Sequence, residues 1–524
     1  MSDKRSPGRP APQHDGQRSP TMPESDSQVR SDADLSLPTP EHFDVLIVGA
    51  GISGIGAAYH LTVQCPGVTF VALDSHASYG GTWVTHRYPG IRSDSDLYTY
   101  GYRFKPWIGA PIASAAKILK YMGEVIEENN LSRHLRFRHR VDSARWSSLE
   151  NHWTIEATRT DTGEKVRFTA GFLWMCQGYY RHEGGYTPRW EGMECFKGPI
   201  VHPQNWPEDL DYHGKRVIVI GSGATAATLI PAIAEDCADV TLLQRSPTYY
   251  FARPNVNELA DTLHDLDVPE EWVHEIVRRK TVHDQRIFTR RSFEDPETVK
   301  QELLAGVSAF IGPEATADHF TPTYRPWRQR IAVVPDGDLF RQVQAGNVSV
   351  VTDHIDQFTE SGIRLQSGQL LEADIIITAT GLNLNVLGDI DFEIDGEPLD
   401  FSRTVTYRGM MFTGVPNMAW VFGYFRYGWT LRVDLVADFV CRLLKHMQMR
   451  RVHRVSVALR VRDQDMPLSA WIDPDDFNPG YVQRGLHLLP QRGDKPEWQH
   501  TQDYWAERTE FPAIDLDDEA FVYA

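Results

Sequence analysis

Hydrophobic positions in this chain fall mostly into short unbroken runs that stop at glycine. Residues 45–48 are all apolar and end at Gly49, the pattern of a strand buried on both faces. Good helix formers follow over 55–64, Pro66 and Gly67 interrupt them, and residues 68–73 read as a second strand, so the pattern predicts a β-α-β unit. The same order recurs later: 216–220 is an apolar run, 224–235 is helical, and 240–243 is another strand, ending at Gln244 and Arg245. Between Asn255 and Pro322 the pattern changes to charged amphipathic stretches such as 270–280 and 297–308, which predicts a helical insertion. Strand-like runs return over 347–380 and close with 375–378. From Gly414 the chain reads as a strand, then a helix from about Thr430 to Met447, then an irregular aromatic segment containing proline. Residues 1–41 are rich in Ser, Pro, Asp, Arg and Gln and nearly lack periodic apolar positions. Such a segment cannot repay the entropy of ordering, and it is read as a disordered tail.

Each β-α-β unit carries a glycine-rich turn where strand meets helix. Gly49-Ala50-Gly51-Ile52-Ser53-Gly54 is a G-x-G-x-x-G directly after a strand and opening a helix. The glycines permit the tight turn, the approach of a pyrophosphate and close helix–strand packing, while the helix N-terminus supplies amide donors and a favourable dipole. Asp74 falls at the end of the second strand, twenty residues after Gly54. A carboxylate there can bind both ribose hydroxyls and repels a 2′-phosphate, which suits FAD or NAD rather than NADP. The second turn, Gly221-Ser222-Gly223-Ala224-Thr225-Ala226 and then Ala227, has Ala in the third glycine position, and its next strand ends in Arg245-Ser246 instead of an acid. A guanidinium can grip a 2′-phosphate with two parallel hydrogen bonds and the hydroxyl adds a third, so this unit is assigned NADP. Two nucleotide sites of opposite charge preference imply a flavoprotein reduced by NADPH.

The expected fold is therefore α/β, with two Rossmann-like dinucleotide-binding domains, for FAD and NADP, and a helical insertion in the second. The expected division is the 1–41 tail; 42–185, first part of the FAD-binding domain; 186–251, first part of the NADP-binding domain; 252–325, the insertion; 326–385, second part of the NADP-binding domain; and 386–524, second part of the FAD-binding domain with the C-terminal segment.

Composition narrows the class further. The 524 residues carry a formal net charge of -18, which argues against nucleic acid as a partner. The start lacks the apolar core of a signal peptide and no run approaches the roughly 20 residues needed to span a bilayer, so a soluble, cytoplasmic protein is expected. Cys65, Cys176, Cys195, Cys237 and Cys441 are odd in number and never in C-x-x-C spacing, so neither a disulfide framework nor a metal site is expected. A flavoprotein without a cysteine pair has no disulfide to reduce. Its electrons go to a bound acceptor or to oxygen.

The loop after the first unit decides between these. Gly80-Gly81-Thr82-Trp83, followed by Tyr88-Pro89-Gly90-Ile91-Arg92-Ser93-Asp94, resembles the G-G-x-W and Y-P-G-x-x-x-D pattern of class B flavoprotein monooxygenases of the Baeyer-Villiger type. Their linker signature F-x-G-x-x-x-H-x-x-x-W-P is matched by Phe196, Gly198, His202, Trp206 and Pro207, just before the second glycine-rich turn. Within that type the chain is similar to the ethionamide-activating monooxygenases, in segments such as HPQNWPEDLDY, LLQRSPTY and GYVQRGL, from about residue 42 to residue 510.

The resemblance implies an NADPH- and oxygen-dependent FAD monooxygenase that converts ketones to esters or lactones through a C4a-peroxyflavin, with sulfide oxidation as a second activity. Such a reaction needs a fixed cation beside the flavin, and only Arg stays charged in a dry site. The residues alone do not separate Arg330 from Arg325 or Arg328; the resemblance assigns Arg330, with Asp94 orienting its guanidinium. It also implies FAD contacts from Ser53, Thr82, Trp83 and the backbone of Val141, and NADP contacts from Arg92, Ser93 and Asp94. Where many of these enzymes place a Lys just before the catalytic Arg, this chain has Gln329, so partial use of NADH is expected. The alternatives are an N- or S-oxygenating enzyme without carbonyl chemistry and a non-catalytic dinucleotide-binding redox sensor. Neither the natural ketone or sulfide nor the oligomeric state follows from the sequence.

Overall fold

The computed structural model describes residues 40–524. The expected tail lies outside the described residues except for its last two, and Glu41 already opens the first strand, four residues before the apolar run begins. That strand, Glu41–Val48, lies inside a nine-stranded sheet, with Phe70–Leu73 and Lys165–Met175 as parallel neighbours on its two sides. Val45 to Val48 are buried, as strands flanked and covered on every side require. An antiparallel meander of His139–Ser147, His152–Arg159 and Lys165–Met175 extends the sheet. Met418–Trp420 pairs in parallel with the last residues of Lys165–Met175, so the late part of the chain returns to the first sheet.

The second sheet is wholly parallel, with strands ordered Val348–Thr352, Asp239–Gln244, Arg216–Ile220, Ile375–Thr378 and Ile200–Val201. Both sheets reverse direction of strand order beside their glycine-rich strand, which opens a crevice at the carboxyl ends. The helices after the two turns are Ile52–Gln64 and Ala224–Ile233. The short β-hairpin elements 355–359, 362–365 and 370–372 form a separate three-stranded sheet, where the sequence showed only strand-like runs.

Four helices, Glu258–Asp265, Glu270–Glu294, Pro296–Ile311 and Pro313–His319, fill the charged amphipathic stretch. Asn257 and Asp295 cap the first and third, accepting from the amides of Ala260 and Thr298. The long helix is held by a buried charge cluster. Arg278 donates to the carbonyls of Tyr98 and Gly101 at 3.0 and 2.8 Å and lies 3.6 Å from Asp434, which also bonds His60 at 3.0 Å. His60 sits on the helix Ile52–Gln64 and Asp434 on the helix Trp429–Arg450, so these three residues join the insertion to the first unit. Among the described residues no helix is long and apolar enough to cross a membrane.

Glycine is indispensable at the start of the first helix. A Cβ on Gly54 would lie 1.8 Å from the carbonyl oxygen of Gly49, whose own amide is fixed to Leu73 O at 2.7 Å. Gly54→Ala is expected to lower the melting temperature, through overpacking of about 1–3 kcal/mol. Gly306→Ala, in a helix where an added Cβ meets nothing within 4 Å, is expected to be neutral or to stabilise by up to about 1 kcal/mol. Thermal unfolding of the two variants checks the contrast.

Candidate active site

The two glycine-rich turns open onto one cavity of about 500 Å³, lined by Gly49 and Gly51 from the first and by Gly223 and Ala224 from the second. At the first turn Gly49 has φ +102°, and a Cβ there would sit 2.7 Å from the Cys176 carbonyl. Gly51 and Gly81 stand back to back: a Cβ on Gly81 would approach Gly51 Cα to 3.1 Å, and the Gly80 amide donates to Ala50 O at 3.1 Å. The G-G-x-W motif is thus a second wall of the first turn. No side chain caps the first-turn amides of either helix after the turns, which leaves those donors for an anion.

Asp74 is buried at the end of its strand and lines the cavity. One oxygen accepts from the Ala50 amide at 2.7 Å; the other accepts from the amide and Nδ1 of His76, both at 2.9 Å. Burial raises its pKa, but these hydrogen bonds outweigh it and hold the carboxyl below its usual range. Three of roughly four acceptor positions are taken, so Asp74 has room for about one ribose hydroxyl rather than two.

At the second turn Gly221 has φ +116°, and a Cβ would meet Ala379 O at 2.4 Å, while Gly223 faces open space. Ala226 and Ala227 are buried against the sheet, and Ser222 Oγ donates to Ser246 O at 3.1 Å. Arg245 and Ser246 are exposed and lie outside the cavity lining.

The Y-P-G segment docks the first unit on the second. Tyr88 is buried in the core around the second sheet, and Gly90, at φ +74°, comes so close to the helix Ala224–Ile233 that a Cβ would meet Thr228 O at 2.8 Å. Arg92 is committed to Asp338, at 2.5 and 3.2 Å, and to the Ala227 carbonyl at 3.3 Å. Ser93 Oγ bonds the carbonyl and amide of Ser95 at 2.8 and 2.9 Å, which shapes the turn that presents Asp94.

Asp94 receives Arg330 in a two-pronged pair: Nε donates to Oδ2 at 2.6 Å and Nη2 to Oδ1 at 2.7 Å. Burial raises the pKa of Asp94, and the Arg330 charge and hydrogen bonds outweigh that and lower it. Burial likewise works against the guanidinium, but Asp94 drives its pKa far above the ordinary value. Arg330 lines the cavity with about 32% of its side chain open and three N–H groups uncommitted. Arg325 is instead tied to Asp476 at 3.1 Å, and Arg328 lies 3.7 Å from Asp475; neither lines the cavity. The strained backbone of Trp327, a bulky residue at φ +61°, turns the chain between them.

Of the other residues singled out in the sequence, Ser53, Thr82, Trp83 and Val141 line the cavity. Ser53 Oγ accepts from Trp429 Nε1 at 2.8 Å, and Trp83 Nε1 donates to Tyr100 OH at 3.1 Å. The linker signature is architectural in its contacts. His202 Nδ1 accepts from the Gln204 amide at 3.1 Å, which leaves the proton on Nε2 to donate to Gly381 O at 3.0 Å. Gly185 lies flat against its ring, where a Cβ would come within 1.8 Å of Cε1. Phe196 is buried, Gly198 lies under the Asp374 carbonyl, and Trp206 packs on Tyr212 with Pro207 beside it.

Sequence reasoning missed three groups. Tyr179, Tyr180 and Tyr481 line the cavity; the first two hydroxyls bond at 2.5 Å and the Tyr179 ring stacks on Trp429 at 5.0 Å. Their hint was the Gly178-Tyr179-Tyr180 sequence directly after a buried strand. His86 and His182 also line the cavity, and Arg484, from the C-terminal segment, reaches the end of the second sheet. No spacing rule links those positions to either turn.

Comparison with known proteins agrees with this arrangement. A family model for flavin-binding monooxygenase-like proteins matches residues 111–259, and one for NAD(P)-binding Rossmann-like domains matches 47–104. The FAD-containing monooxygenase EthA of Mycobacterium tuberculosis is 45% identical over 489 residues, 92% of this chain and 98% of the relative. The probable FAD-binding monooxygenase AlmA of an Acinetobacter species is 42% identical over 91% of this chain and 95% of its own. Among solved structures, an oxidized steroid monooxygenase bound to NADP superposes with a TM-score of 0.72 at 23% identity, covering 92% of this chain and 99% of that one. A cyclohexanone monooxygenase bound to epsilon-caprolactone gives 0.71 at 20% identity, covering 92% and 100%.

Arg330→Ala leaves the Asp94 carboxylate partly buried without its counter-charge, so it is expected to destabilise by about 1–3 kcal/mol, and Asp94→Asn in the same chain to recover much of the loss. Melting temperatures of the two single variants and the double variant check the coupling. His86 has its pKa lowered to about 4, first by burial and then by His182 and His202. An unfolded His binds its proton near pH 6.5 and the folded one does not, so this group's contribution to stability falls as pH drops from about 6.5 towards 4. His86→Asn is expected to remove about one proton from the uptake on unfolding in that window, measured by stability against pH.

Proposed function

The chain belongs to the family of FAD-containing monooxygenases, and from that premise we propose that it uses NADPH and oxygen to convert ketones to esters or lactones, and also oxidises sulfides. The observation that carries the reading is Arg330, held by both oxygens of Asp94 and lining the cavity onto which both glycine-rich turns open. The residues present fit the two dinucleotides. The uncapped first-turn amides of each helix suit a pyrophosphate, and the spaces beside Gly51 and Gly223 admit one.

In this reading Gly49, Gly51, Ser53, Gly54, Thr82, Trp83 and the Val141 backbone hold FAD, with Asp74 on its ribose. Gly221 to Ala227 form the turn for NADPH. Bound and reduced, the flavin supplies the electrons that activate oxygen. The chain's own part is electrostatic. Asp94 keeps the guanidinium charged and oriented, and the uncommitted N–H groups of Arg330 hold the substrate carbonyl oxygen and the negative charge that develops on it. Arg92, Ser93, Gly90 and Tyr88 fix that pair against the second unit, which is how docking of the two units reaches the chemistry. The aromatic wall of Tyr179, Tyr180, Tyr481 and Trp429 excludes water and favours an apolar substrate.

Purified, flavin-loaded enzyme given NADPH, oxygen and a panel of phenyl and long-chain ketones and aryl sulfides is expected to yield products heavier by one oxygen atom, with esters from the ketones. Sulfoxides without any ester point to the S-oxygenating alternative, and peroxide matching NADPH consumption with every substrate would sink the monooxygenase reading. Arg330→Ala is expected to lower turnover on the order of 100-fold or more. An Arg330→Ala enzyme that makes ester at the parental rate removes the guanidinium from the mechanism.

A further inference from the structure

We propose that Arg484, together with Arg245, forms the seat for the 2′-phosphate of NADPH, an inference that rests on the NADPH reading above. The two residues are 239 positions apart in the chain, and only the fold brings them together. Arg245 follows the strand Asp239–Gln244, and Arg484 belongs to the short helix Gly480–Gly485. That helix is seated on the loop after the strand Ile375–Thr378: Arg484 Nη2 donates to Leu382 O at 3.0 Å, and a Cβ on Gly485 would run into Leu384 at 2.6 Å. Gly381 and Leu382 line the cofactor cavity, so the guanidinium lies at its margin.

In the parallel sheet, Ile375–Thr378 and Asp239–Gln244 flank Arg216–Ile220 on its two sides. Their carboxyl ends therefore lie on either side of the Gly221 turn, which receives the pyrophosphate of a dinucleotide, with the adenosine ribose following at the end of Asp239–Gln244 beside Arg245. Arg484 Nη2 stands 3.6 Å from where a Cβ on Gly381 would lie, and burial, together with the Arg245 charge, lowers the pKa of its guanidinium. Among the described residues neither forms an ion pair with a carboxylate, although the chain has 71 acidic residues against 53 basic ones. Arg484 spends one N–H on a carbonyl and rests 3.4 Å above the Tyr186 ring, which fixes its plane without neutralising it. Tyr186 is in turn bonded by its amide to Gly381 O at 2.9 Å and accepts from Thr380 Oγ1 at 2.6 Å.

Two unneutralised like charges held together repel unless an anion lies between them, and planar guanidiniums with free N–H groups match a phosphate dianion. A ribose hydroxyl, as in NADH, offers no such charge. Gln329 lines the cavity but carries no charge, so the second cation comes from the C-terminal segment instead. On this basis the enzyme discriminates NADPH from NADH strongly, where the sequence alone suggested partial use of both.

The test compares kcat/KM for NADPH and NADH in the flavin-loaded wild type and in Arg484→Ala, Arg484→Gln, Arg484→Lys and Arg245→Ala. It also compares calorimetric binding of adenosine 2′,5′-bisphosphate with that of AMP. Loss of one charge-assisted contact is expected to lower the NADPH-to-NADH ratio about 10- to 100-fold in Arg484→Ala and Arg484→Gln, mostly through KM, with Arg484→Lys in between. The bisphosphate is expected to lose affinity by a similar factor relative to AMP. A ratio unchanged within about twofold, or equal losses with both coenzymes and both nucleotides, overturns the assignment of Arg484 while leaving NADPH use intact. A wild type that does not discriminate the coenzymes overturns the NADPH reading and this inference together. Flavin content and melting temperature identify any variant that fails to fold, and the Gln and Lys variants then carry the comparison.

Discussion

The pairing of Arg330 with Asp94 is the interaction around which the rest of the molecule is arranged. A guanidinium is costly to withdraw from water, and a carboxylate that meets it with both oxygens offsets that cost while fixing its plane. The two residues are 236 positions apart in the chain. Asp94 ends a loop anchored to the second unit through Tyr88, Gly90 and Arg92; Arg330 follows the strained turn at Trp327. The pair therefore forms only when the two sheets and the insertion are all in place.

Close backbone approach is the second constraint, and it explains most of the glycines that matter. At Gly49, Gly54 and Gly221 a neighbouring carbonyl occupies the space a side chain would need. Gly51 and Gly81 remove side chains from two facing turns at once, which ties the first fingerprint to the G-G-x-W motif. These contacts place the uncapped helix starts at the cavity and leave their amides free for an anion.

Polar residues buried away from the cavity serve the frame. Arg278, Asp434 and His60 join three helices from distant parts of the chain, each satisfying the charge or hydrogen bond of another. His202 is similar: with both ring nitrogens bonded to backbone, its Nε2 proton given to the Gly381 carbonyl, it holds the linker to that loop. That same loop carries Leu382, against which Arg484 is seated, so the linker and the C-terminal helix converge beside the second turn.

The repeated β-α-β pattern, the two turns, the acid after the first and the base after the second were legible in the sequence, because buried parallel strands and phosphate turns are local and leave apolar runs and glycines at fixed offsets. Asp94 was legible as a motif position, whereas Arg330 was set apart from Arg325 and Arg328 only by the family resemblance, since all three arginines share one short segment. In the tertiary structure Arg325 and Arg328 face carboxylates outside the cavity, while Arg330 pairs with Asp94 at its wall. The tertiary structure also decided the aromatic wall, the single free acceptor of Asp74 and the place of Arg484. Each of these depends on which distant segments pack together, and packing across hundreds of residues leaves no periodicity in the chain for a reader to find.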